Sequence, residues 1–186
     1  MKQPTLSKGL TLKELAFLGV YSALLIAFKE MMNVLPNIEP VTVMLIALTT
    51  VFGIKALLPV YVFSFIEIIL HGFHIWNMMY LYVWAILVLI ALCFLPLHRL
   101  IETKTGKASP VLLTVMWTVL AALYGIGYGT LCSIPYFITL GAEGAISWII
   151  SGFTFDILHC VGNSVITSLL FFPLYKILKV AKKKLA

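Results

Sequence analysis

Charged side chains make up only 11% of this 186-residue chain, against about a quarter in an ordinary soluble domain. That shortage excludes a water-soluble globular protein. Cysteine is scarce too: Cys93, Cys132 and Cys160 are an odd number, all within apolar runs and without CxxC spacing. This argues against a disulfide framework or a zinc site and leaves them as small packing residues. Phosphate-binding and hydrolase motifs are missing. Gly106-Lys107 has neither the upstream glycine nor the following hydroxyl of a P-loop, and no GxSxG or HExxH occurs. The chain is not expected to be an enzyme or to hydrolyse ATP by itself. His71 and His74 fall at a helix end and His159 in mid-run, a poor arrangement for haem, so no cofactor is expected. His98 falls in a basic loop and needs no special role. No repeat of fixed period is present.

What remains is hydrophobic: 62% of residues, with a mean hydropathy of +1.08. The pattern predicts an all-α polytopic membrane protein, one domain covering residues 1–186. The polar start, MKQPTLSKGLTLKEL, does not resemble a cleavable signal peptide. A net charge of +6 could suggest nucleic acid, but its distribution points to membrane topology, so no nucleic-acid partner is expected.

Six transmembrane helices are predicted. The first runs from Leu15 to about Met32, and a loop with two prolines follows from Asn33 to Pro40. Val41 to Phe52 is short for a straight crossing and ends at Gly53. Ala56 to about His71 is the third helix, and residues 72–77 form a turn. Met78 to Pro96, Pro110 to about Tyr136, and Ser147 to Lys179 complete the set, with a basic loop at His98–Ser109 and a turn at Leu140–Ala145. With both termini cytoplasmic, every Lys and Arg except Lys29 lies inside, a one-sided result under the positive-inside rule.

The last helix organises the chain. Asp156, His159 and Asn163 fall within about 60° of one another on a helical wheel, and Thr167 continues the stripe. A carboxylate in hydrocarbon costs at least ~2.5–3.5 kcal/mol, so this face must meet protein or a wet cavity. It is either a polar packing seam or an inward-facing ligand or ion site. If the seam is structural, Lys29 or a neighbouring tyrosine is the natural partner for Asp156. Further candidates gather at the outer helix ends: Asn33, Glu39, Glu67 with His71 at i,i+4, then Trp76, Asn77, Tyr80 with Trp84, and Tyr124 with Tyr128. Aromatic residues with a few fixed polar groups suit a flat, ring-containing molecule, although an aromatic belt at the membrane surface would also use them. Asp156 and Asn163 are expected at the pocket floor. Ala23-Leu-Leu-Ile-Ala27 on the first helix is a small-xxx-small pattern that permits close helix approach.

The last-helix segment GFTFDILHCVGNSV and the segment NVLPNIEPVTVMLI resemble the substrate-binding S components of energy-coupling factor (ECF) vitamin transporters. The resemblance covers nearly the whole chain. It implies capture of a vitamin-like small molecule from outside the plasma membrane of a prokaryote, with no cofactor. It also implies docking, through Ala23 and Ala27, on a transmembrane coupling subunit that carries two cytoplasmic ATPase subunits. The loop Asn33–Pro40 would be the lid. Two other readings stay open: a proton-coupled secondary transporter using Asp156, and a small intramembrane enzyme using Asp156 and His159 as an acid–base pair.

Overall fold

The computed structural model describes residues 9–35, 38–106 and 109–185. Pro36 and Asn37 of the predicted lid lie outside that range, as do Lys2, Lys8 and Lys107. The described residues form six α-helices and no strand: α1 (Leu12–Met31), α2 (Val41–Phe52), α3 (Leu57–His71), α4 (Val83–Lys104), α5 (Ser109–Cys132) and α6 (Ile134–Leu185). Short 3₁₀ segments at Gly53–Ala56 and Ile75–Leu81 precede α3 and α4.

Local chemistry explains most of the boundaries. Thr11 and Glu14 cap α1 reciprocally: the Thr11 hydroxyl accepts from the Glu14 N–H at 3.2 Å, and the Glu14 carboxylate accepts from the Thr11 N–H at 3.1 Å. Helix α2 is apolar all round, and every residue in it except Thr50 is buried, as that composition requires. It ends at Gly53, whose φ of 61° lies in the left-handed region where a side chain is disfavoured. The chain reverses there. Glu39 and His71, which flank α2 and α3, line one cavity, whereas Lys55 in the turn between them reaches Glu14 at 2.7 Å at the start of α1.

Two predicted boundaries are corrected. The fourth helix does not run from Met78 to Pro96: residues 75–81 are 3₁₀, and α4 passes through Pro96 to Lys104. Proline forfeits one hydrogen bond, but the turns beyond it pack His98 against Trp117, Phe171 and Tyr175. The expected basic loop is accordingly helical through Lys104.

Helix α6 contains a break at Gly141, where φ is 72° and ψ is −168°. Residues before the break continue the direction of α5; residues after it return alongside α5. Tyr136 stacks on Trp148 at 4.1 Å, the Gly129 N–H meets Asp156 at 2.8 Å, and Asn163 meets the Ala121 carbonyl at 3.1 Å. This antiparallel hairpin closes through Gly125 and Gly129. A Cβ on Gly125 would fall 2.8 Å from the Cys160 backbone, so the GxxxG spacing permits the helix approach.

Among the described residues, four segments are long and apolar enough to cross a membrane: Val41–His71, Ile75–Lys104, Ser109–Cys132 and Ile134–Leu185. Length and composition therefore give four candidates, not the expected six. The first segment folds back at Gly53. Helix α1 falls short because any 18-residue stretch of it holds at least three of Lys13, Glu14, Lys29 and Glu30. Exposed side chains such as Val20, Leu123, Val165 and Leu169 form an apolar belt suited to lipid. Beyond the belt, one pole collects Lys55, Arg99, Lys179, Lys182 and Lys183 with Glu14 and Glu102; the opposite pole collects Glu30, Glu39, Glu67 and, among the described residues, a single ammonium, Lys29.

Candidate ligand-binding site

Helices α1 and α3 end side by side at the acidic pole. Lys29 is buried there, its Nζ 2.5 Å from Glu67 Oε2, 2.9 Å from Glu30 Oε1 and 3.2 Å from His71 Nε2. His71 Nε2 also lies 3.1 Å from Glu30 Oε1, so its tautomer decides whether it accepts from Lys29 or donates to Glu30. Glu67 is wholly buried, and its second oxygen, Oε1, has no partner among the described residues. Lys29 is therefore committed to this cluster and does not serve Asp156 as the sequence suggested. Its position near the end of an apolar run was itself a signal, since an ionisable residue at that depth needs a partner.

Two cavities lie beside the cluster. One, of about 320 Å³, is lined by Lys29, Asn33, Glu39, His71, Trp76, Tyr80, Tyr128 and His159 among others. The second, of about 520 Å³, is lined by Gly129, Cys132, Trp148, Phe155 and Asp156, and again by Trp76, Tyr80 and Tyr128. The shared side chains form an aromatic partition, in which Trp76 and Tyr80 meet edge to face at 6.2 Å. Trp148 stacks on Tyr136 and walls the second cavity.

The polar stripe of α6 divides among these spaces. His159 faces the first cavity, 1% exposed, with Tyr128 edge-on at 4.6 Å. Neither ring nitrogen has a hydrogen-bond partner among the described residues. A buried imidazole always carries at least one N–H donor or lone-pair acceptor on each nitrogen, so two unmet groups are a cost the empty protein bears. Asp156 faces the second cavity and accepts from the Gly129 N–H. The two residues therefore line different spaces and do not form a hydrogen-bonded acid–base pair. Asn163 lines neither cavity. It donates to the Ala121 carbonyl and belongs to the α5–α6 seam, so its expected place at the pocket floor is corrected.

Other predicted residues also support rather than line the cavities. Asn77 donates to the Gly72 carbonyl at 2.5 Å and holds the turn after α3. Trp84 is fully buried behind Tyr80 and Tyr128. Tyr124 donates to the Val83 carbonyl at 2.8 Å and borders a different space, an apolar cleft of about 660 Å³ between α4 and α5. Glu67 anchors Lys29 from below. Asn33, Glu39, His71, Trp76, Tyr80, Tyr128, Asp156 and His159 do line the two cavities.

Glu39, just ahead of α2, is the least satisfied carboxyl of the group. Desolvation pushes it up to about 7; Glu67 and Glu30 add to this and Lys29 opposes it. With three carboxylates facing one ammonium, the pole suits a ligand with a positively charged or hydrogen-donating end. Ala23 and Ala27 are exposed on the outer face of α1, between Val20, Leu24 and Phe28. In comparisons with known proteins, no family model, no curated protein and no solved structure matches the chain.

Proposed function

We propose that the protein is the substrate-binding subunit of an ECF-type importer in the plasma membrane of a prokaryote. In this reading α1 to α6 are six crossings, with both termini and the basic pole cytoplasmic. The acidic pole faces outward and captures a ring-containing micronutrient. The observation that carries the proposal is His159: a buried imidazole whose ring nitrogens have no hydrogen-bond partner among the described residues, lining a cavity partitioned by aromatic rings. Such a site is completed by a ligand with both an aromatic face and a polar edge. The exposed small-residue face at Ala23 and Ala27 supports docking on a coupling subunit, and the lack of a P-loop is consistent with ATPase partners that supply the energy.

The test is to purify the protein in mild detergent, extract it and identify any retained small molecule by native mass spectrometry. That compound is then titrated back while the fluorescence of Trp76 and Trp148 is followed. Saturable quenching that His159→Phe weakens supports the reading. A second reading is favoured by Asp156, which lines a cavity and has no counter-ion among the described residues. Uptake of the identified compound by liposomes holding this chain alone, driven by a proton gradient, would assign it to proton-coupled transport instead.

A further inference from the structure

The basic pole holds a second polar site. His98, on α4, is 2% exposed. Trp117 donates its indole N–H to His98 Nδ1 at 2.9 Å. An imidazole nitrogen that accepts cannot also bear a proton, so the neutral ring carries its hydrogen on Nε2. That N–H has no acceptor among the described residues. Phe171 and Tyr175 hold the ring in place, Tyr175 edge-on at 5.0 Å.

The same ring lines a cavity of about 440 Å³ with Arg99, Glu102, Tyr175, Lys179, Lys182 and Lys183. Four cations thus surround one carboxylate. Glu102 is already committed, accepting from Lys179 at 2.5 Å and from the Tyr175 hydroxyl at 2.8 Å. Lys182 donates to the Val51 carbonyl near the end of α2. The Arg99 and Lys183 side chains have no ion-pair or hydrogen-bond partner among the described residues, and Arg99 acts electrostatically on both His98 and Lys182. A buried donor without an acceptor and a surplus of positive charge are two independent observations at one place. A second cation would be repelled here, and a neutral apolar group would leave both unanswered.

We propose that this cavity binds a phosphate group, whose oxygens accept from His98 Nε2–H and pair with Arg99 and Lys183. The position suits the phosphodiester of an anionic phospholipid, since α4 and α6 leave the apolar belt here and basic pockets between helices hold such headgroups. A soluble phosphate offers the same chemistry.

The test uses the full chain, labelled with ¹⁵N-histidine, in nanodiscs of phosphatidylcholine alone or with phosphatidylglycerol. The four histidines of the chain make the His98 ring assignable through His98→Phe. Phosphatidylglycerol should shift the His98 Nε2 resonance and should be retained in native mass spectra. Arg99→Gln with Lys183→Gln should weaken that retention by about ten- to thirty-fold. Both positions are exposed, so this variant keeps the fold if His98→Phe does not. If inorganic phosphate in phosphatidylcholine discs reproduces the shift and phosphatidylglycerol does not, the site stands and its source is soluble. The proposal is overturned if neither probe moves His98, which would leave an acidic side chain of a partner protein as the occupant, or if phosphatidylglycerol retention survives the double variant.

Discussion

Replacing His159 with phenylalanine should raise stability and lower affinity in the same protein. Phenylalanine keeps the planar ring and its edge-on contact with Tyr128, now 4.6 Å between centroids. It deletes two buried nitrogens that have no partners among the described residues. Each unmet group costs about 1–3 kcal/mol, so the empty protein should gain at least ~1 kcal/mol. For a chain of this length that corresponds to a melting temperature higher by roughly 2–4 °C. Under the proposed function the same nitrogens would hydrogen-bond the ligand. Their loss should weaken binding by about 1–3 kcal/mol, roughly five- to 150-fold in Kd. The assay is a melting curve of the ligand-free variant beside a fluorescence titration with the retained compound. A variant that melts lower and binds unchanged would refute the reasoning, because His159 would then be part of the packing. His159→Gln, which restores hydrogen-bonding capacity without the ring, should recover part of the affinity and lose the stability gain.

Replacing Ala23 or Ala27 with Trp should abolish transport in the assembled complex and leave ligand affinity of the isolated subunit within a few-fold, since both residues are exposed; loss of binding as well would place them in the internal packing. Gly125→Ala should destabilise the α5–α6 hairpin by ~1–3 kcal/mol, because the new methyl meets backbone at 2.8 Å, whereas Gly127→Ala, with nothing within 4 Å, should be harmless; equal melting temperatures would refute the close contact. Glu39 binds its proton more tightly folded than unfolded, so its contribution should fall as pH rises from about 4.5 to about 7, by at most ~3 kcal/mol. Melting curves between pH 4.5 and 8 should slope downward in the unmodified protein and flatten in Glu39→Gln, and parallel curves would show that Glu67 sets the slope instead.

Periodicity and composition made much of this architecture readable. Apolar runs located all six α-helices, Gly53 and the glycine at 141 marked the two reversals, and the i,i+4 arithmetic put Asp156, His159 and Asn163 on one face. Boundaries were less legible where packing overrides local chemistry. Pro96 reads as a stop, yet the burial of His98 against α5 and α6 carries α4 past it. For the same reason His98 read as a loop residue, although a histidine two positions beyond a helical proline is on the helix if the helix continues. Lys29 was recognised as the exceptional outer cation, but its partners come from α3, and no local pattern ties residue 29 to residue 67. The GxxxG at Gly125 and Gly129 was available in the sequence and would have predicted the α5–α6 contact.

The stripe on α6 shows why a helical wheel identifies a polar face without identifying its tasks. Angle around the axis brings Asp156, His159 and Asn163 together; height along it separates them by about 1.5 Å per residue. Each level meets a different residue of α5. Asp156 meets Gly129, where the missing side chain exposes a backbone N–H that the carboxylate accepts. One turn deeper, His159 lies where Gly125 lets the backbones close and Tyr128 covers the ring, so polar partners are excluded while the cavity remains on its other side. Another turn deeper, Asn163 reaches the Ala121 carbonyl and acts as a seam. The small residues of α5, spaced by four, thus sort one polar face into a carboxylate held by backbone, an imidazole left open, and an amide that locks the hairpin. Under the proposed function a ligand would satisfy the middle level, which is why His159, rather than the more conspicuous carboxylate already held by the Gly129 N–H, is the residue whose loss should separate binding from folding.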